Sequence, residues 1–116
     1  MPDILYTPRY DDDLVRIYKY SVRRWGKAVA MRTMDQIAEV EQKALADPDF
    51  GKLDSLYYSP IYRYATIPNS QTVFFHRLGD DVVMITAGYK GRAWNLLLKR
   101  IEPEVKKFIE DAEGKR

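Results

Sequence analysis

Two helical periods interrupted by a single glycine constrain this chain more than any other feature. Leu14, Ile17, Tyr18, Ser21, Val22 and Trp25 fall at i, i+3, i+4, i+7, i+8 and i+11, one stripe of a 3.6-residue repeat. Asp11, Asp12 and Asp13 stand where a first helical turn welcomes negative charge and a side-chain cap. Gly26 follows the last periodic residue, the position that favours a left-handed backbone. A second helical stretch then runs from about Lys27 to Ala46. Its apolar positions include Ala30, Met34, Ile37, Ala38 and Leu45, and Pro48 closes it. So short a junction folds the two helices back on each other as a hairpin. Trp25 reads as a core anchor at the hairpin corner, where truncation to alanine would cost roughly 3–5 kcal/mol. A hairpin alone cannot bury both stripes, so it requires a surface to lie on.

The rest of the chain supplies that surface. Ile4-Leu5-Tyr6, between Pro2 and Pro8, reads as a short strand near a sheet edge. Asp47 to Pro60 has loop composition. The period then changes from helical to alternating. Ile61 to Ile67 is aromatic and β-branched and stops at Pro68-Asn69-Ser70. Gln71 to Leu78 places Val73, Phe75 and Arg77 on one side, and Thr72, Phe74, His76 and Leu78 on the other. After Gly79-Asp80-Asp81, the run from Val82 to Ala87 is nearly all apolar, as in a strand buried on both faces. Short connections make these three strands an antiparallel meander. Trp94 to Ile109 is helical again, extending to about residue 112, with Leu97, Leu98, Ile101, Val105, Phe108 and Ile109 available for one face. Pro103 inside that pattern predicts a kink or a new helix start. The expected architecture is a single α+β domain over residues 1–116: a helical hairpin packed on a small antiparallel sheet in two layers, with an additional C-terminal helix. The stripe of that last helix must be buried on the sheet, in a homodimer, or where a partner would otherwise lie.

Composition narrows the function. With 116 residues, 46% hydrophobic and 31% charged, the chain is sized and balanced for one globular core. There is no cysteine and one histidine, so thiolate and multi-histidine metal sites are ruled out, and no metal or cofactor is expected. No apolar run approaches membrane-spanning length and the first residues do not form a signal peptide, so a cytoplasmic protein without membrane contact is expected. Net charge is only +2, but from Lys90 onward there are eight Lys/Arg against five Asp/Glu. That basic end suits an anionic partner, although a solvated helix face is the commoner meaning.

Several of these residues carry a resemblance. The pattern Asp12-x-x-x-x-Ile17-Tyr18-x-Tyr20-Ser21-x-x-x-Trp25-Gly26, with Ala30, Ile37 and Pro48 following, resembles the helical hairpin of ParE toxins. These belong to the RelE/ParE superfamily of bacterial type II toxin–antitoxin systems. Gly51, Tyr62-Arg63 and Phe75-His76-Arg77-Leu78-Gly79 are similar to the family's later motifs, with His76 where tyrosine is usual. The resemblance covers roughly residues 4 to 92; beyond Gly91 the chain departs, with a long basic helix where many ParE toxins end. It implies a toxin neutralised by a cognate antitoxin, as a homodimer or a toxin–antitoxin hetero-oligomer. ParE-like members inhibit DNA gyrase without hydrolytic chemistry, whereas RelE-like members are ribosome-dependent endoribonucleases that cut mRNA.

The two branches need different residues. Cleavage by 2′-hydroxyl attack needs a base, an acid and cations for the phosphorane charge. Arg63, His76, Arg77, Tyr89 and Lys90, with Arg92, are the candidates if one sheet end gathers them, and Tyr62, Tyr64 and Tyr89 could stack bases. The plainer readings are a packed or exposed His76 and carboxylate pairs for Arg63 and Arg77. Lys90 and Arg92, in a turn bracketed by Gly88 and Gly91, are candidates for partner contact together with Trp94, which alternatively covers the sheet. The Trp25-Gly26 corner and the single histidine favour the gyrase-inhibitor reading over the nuclease.

Overall fold

In the computed structural model the described residues are 2–53, 62–68 and 71–115. The loop expected from Asp47 to Pro60 lies outside them from residue 54, as do Ile61, Asn69 and Ser70.

The N-terminal strand, β1 (Ile4–Tyr6), leads into α1 (Pro8–Trp25). The helix starts earlier than the three aspartates suggest. Thr7 caps it by accepting from the Tyr10 amide at 3.1 Å, and Pro8 fills the first position, where no amide partner is needed. The Thr7 hydroxyl also donates to the Ile85 carbonyl at 3.0 Å, which fixes the helix start against the sheet. Gly26, at φ +92°, ends α1 by donating to Val22 O, and α2 (Lys27–Ala46) begins at the next residue. The expected hairpin is present.

The meander consists of β2 (Arg63–Thr66), β3 (Gln71–Leu78) and β4 (Asp81–Tyr89), followed by α3 (Trp94–Gly114). Strand order is β1-β4-β3-β2, so β1 is an edge strand as its prolines suggested. The sheet is mixed rather than wholly antiparallel. Ile4 pairs with Val82 and Tyr6 with Met84 in parallel, because the helical hairpin between β1 and the meander carries the chain back before β4 forms. A register shift between Phe74 and Phe75 leaves Ile85 without an opposite residue on β3.

Two cores flank the sheet. On one side Val73, Phe75, Val82, Met84 and Ala87 meet Tyr10 and Ile17 of α1 and Ile37, Val40 and Ala44 of α2. On the other, Phe74, Leu78, Val83 and Ile85 meet Trp94, Leu97, Leu98, Ile101, Val105 and Ile109 of α3. The molecule therefore has three layers rather than two, and α3 buries its stripe on its own sheet. α3 runs unbroken through Pro103, because Ile101 and Val105 on either side are both held against the sheet.

Trp25 is not a core anchor. It is 49% exposed and meets Tyr20 edge-on at 5.7 Å between ring centroids. The inward stripe of α1 is Tyr10, Asp13, Ile17 and Ser21, and the helix outruns the sheet. From Asp13, which hydrogen-bonds to Ala87, α1 continues for roughly 18 Å to Trp25. Only Gly88 and Tyr89 of β4 remain beyond Ala87, roughly 7 Å of strand.

Candidate functional site

Strand register separates the residues that RNA cleavage would require together. Arg77 lies opposite Val82 at the β3–β4 turn, whereas Tyr89 lies opposite Gln71 at the other end of the same ladder. Six residue steps along β3 separate those positions, roughly 20 Å. His76 and Arg77 are adjacent on a strand and so face opposite sides of the sheet, the half-buried His76 on the side of Phe74 and Leu78.

The two strand arginines hold backbone, not carboxylates as expected. Arg77 donates from Nη2 to the carbonyls of Ala44 at 2.6 Å and Leu45 at 3.2 Å, and from Nη1 to Gly79 and Asp80 at 3.4 Å each. It thereby supplies donors to the last carbonyls of α2 and ties that helix end to the β3–β4 turn. Arg63 Nη1 donates to Gly51 O at 3.1 Å, holding the segment after α2 against β2. Gly51 is needed there. A Cβ at this position would stand 2.6 Å from the Phe75 ring, and its φ of +90° disfavours other residues. Of the tyrosines proposed for base stacking, Tyr62 is buried, Tyr64 is half-buried against Phe74, and only Tyr89, at 63%, is broadly exposed.

At the Tyr89 end the picture differs. Lys90 and Arg92 are exposed, as a Gly-bracketed turn implied. Trp94 is 1% exposed, packed on Phe74 with ring centroids 4.8 Å apart, so it covers the sheet and is out of a partner's reach while α3 is docked. The Arg92 guanidinium sits 5.8 Å over the Trp94 ring. Gly88 allows this packing, since a Cβ there would be 3.2 Å from the indole edge. Beside the turn a cleft of about 410 Å³ opens between α1 and the ends of β3 and β4. Arg16 and Tyr20 of α1, Gln71, Tyr89 and Arg92 line it, and Asp13 lies at its inner wall.

Two polar clusters on the hairpin side had no signal in the sequence. Asp13, 3% exposed, accepts from the Thr86 hydroxyl, the Ala87 amide and Arg16, and thereby fastens α1 to β4. Glu41, 7% exposed, accepts from Tyr6 at 2.9 Å and Tyr10 at 2.6 Å, joining α2 to β1 and α1. Partial burial, and then the hydrogen bond to Glu41, push the Tyr6 phenol up to about 12. Deeper burial and the same carboxylate raise Tyr10 still further. Asp13, Glu41 and Tyr10 belong to helices that read as ordinary amphipathic faces. Apart from Arg16, the partners of their side chains are 31 to 74 residues away in sequence.

This fold has a counterpart among solved structures. The chain matches one described as the chromosomal ParDE TA system from P. aeruginosa, with a TM-score of 0.63, over 77% of this chain and 96% of that chain. The two chains share a fold. Sequence identity over the match is 20%. No family model matches the chain, and no curated protein does. Among the described residues no helix is long and apolar enough to cross a membrane.

Proposed function

We propose that this chain is the ParE-like toxin of a bacterial type II toxin–antitoxin system, that a cognate antitoxin neutralises it, and that its target is DNA gyrase in the cytoplasm. The reading is carried by the fold shared with a ParDE chain, joined to the Trp25-Gly26 hairpin pattern in the sequence. It is a binding function rather than a catalytic one. Arg77 is committed to backbone carbonyls, and the strand register holds it about 20 Å from Tyr89 and Lys90, so the residues that could share in 2′-hydroxyl attack are not assembled. Lys90 and Arg92, in the exposed turn, are the contacts proposed for a partner. Because α3 occupies one face of the sheet, an antitoxin would use the hairpin side or displace α3.

The test is a supercoiling assay with purified gyrase, run beside primer extension on translated mRNA. Inhibited supercoiling with uncut message is the expected result. Unaffected supercoiling together with codon-positioned cuts would replace this reading with the ribosome-dependent endoribonuclease.

A further inference from the structure

We infer that the cleft between α1 and the ends of β3 and β4 is a docking site for an acidic side chain presented by a peptide segment of a protein partner. Three features point to this occupant. Charge comes first. Arg16 and Arg92 both line the cleft, and the carboxylate of Asp13 offsets one of these two cations. The site is left with a single positive charge, which one glutamate or aspartate would neutralise. A phosphodiester chain would instead bring successive charges up to Asp13.

The second feature is an unmet hydrogen bond. Gln71 is 6% exposed and lines the cleft, yet its Oε1 is shut off from solvent with no hydrogen-bond partner. A buried carbonyl oxygen left in that state is destabilising, and a donor from outside relieves it. A backbone N–H next to the acidic residue is such a donor once the carboxamide turns toward the cleft. A peptide therefore satisfies Arg92 and Gln71 together, while Arg16 stays on Asp13. The third feature is the rim. Tyr20 is 49% exposed and Tyr89 63%, and Trp25 stands against Tyr20. Exposed tyrosine, tryptophan and arginine around a depression are the residue types that dominate protein–protein binding energy. This also gives the outrunning end of α1 a use. The cleft would keep this property whether or not the chain is toxic.

The experiment titrates the full chain with acetyl-Ala-Leu-Glu-Leu-Ala-amide, its Glu→Gln counterpart and uridine 5′-monophosphate. Binding is followed by the ¹⁵N side-chain resonances of Gln71 and Arg92. Saturable binding of the Glu peptide is expected, with both resonances shifting. Affinity should fall about tenfold for the Gln peptide and about tenfold in Arg92→Gln, the loss of one charge-assisted contact. Tyr89→Ala, a change at an exposed side chain, should weaken the same binding while the near-ultraviolet dichroism of the folded chain is kept. Equal binding of the two peptides, tighter binding of the nucleotide, or no peptide binding by the folded chain would each overturn the inference.

Discussion

Toward α3 the sheet is covered by Trp94, Leu97, Leu98, Ile101, Val105 and Ile109, and even the buried Trp94 Nε1 has no hydrogen-bond partner. Toward the hairpin the apolar cover is interrupted by Asp13, Glu41 and Tyr10, each tied by hydrogen bonds to a different element. The contrast has a physical meaning. Apolar contact is strong but non-directional, so it holds α3 down without demanding one position. Hydrogen bonds from a buried carboxylate work only at one geometry, so they set where the hairpin sits along the sheet. A salt bridge between the two helical layers, Arg9 to Glu104 at 3.0 Å, lies near the surface and adds little to either.

Substitutions can separate these two kinds of attachment. Trp94→Ala should have the largest effect, about 3–5 kcal/mol in denaturant unfolding, because it removes the largest fully buried side chain of the α3 face. A loss under 1 kcal/mol would mean that α3 contributes little to the core. Next comes Asp13→Ala, at about 2–3 kcal/mol, since it leaves the Thr86 hydroxyl and Ala87 amide buried without an acceptor. The simultaneous change Asp13→Ala with Thr86→Val should recover part of that loss, which a purely apolar role for this region would not allow.

Glu41→Gln should cost about 1–2 kcal/mol, as two phenols lose a charged acceptor. Its sharper signature is in alkali. The Tyr6 and Tyr10 phenols are raised above their unfolded value near 10, so their protonated forms favour the folded state. That contribution is complete below pH 10 and is lost as pH rises through about 12 for Tyr6. Melting temperature against pH, with tyrosinate absorbance in parallel, should show the parent declining over this interval and the Glu41→Gln chain declining less steeply. Identical slopes would remove Glu41 from the network. Trp25→Ala should have the smallest effect, about 1 kcal/mol, because half of the indole already faces water. A loss as large as that of Trp94→Ala would show that the end of α1 belongs to the core after all.

Periodicity made much of this molecule legible in the sequence. The helical stripe before Gly26, the alternation from Gln71 to Leu78 and the apolar run from Val82 to Ala87 are local patterns, and each became the expected element. Residues 73 and 75 face the hairpin while 74 and 78 face α3, as alternation requires. Fates set by distant neighbours were not legible. Trp25 and Trp94 are both tryptophans at helix ends, but Trp25 is wet because α1 outruns β4, and Trp94 is dry because α3 docks it on Phe74. Arg77 was readable as a cation on a strand, but its partners belong to the end of a helix more than 30 residues earlier.

The sequence by itself determined which segments are helix and which are strand, and where the hairpin bends, because those outcomes follow from spacing within a few residues. Only the tertiary structure decided that β1 pairs in parallel, that α3 adds a third layer, and that Arg77 and Tyr89 stand at opposite ends of the sheet. Pairing, layering and proximity depend on which distant surfaces meet, and no local period encodes that.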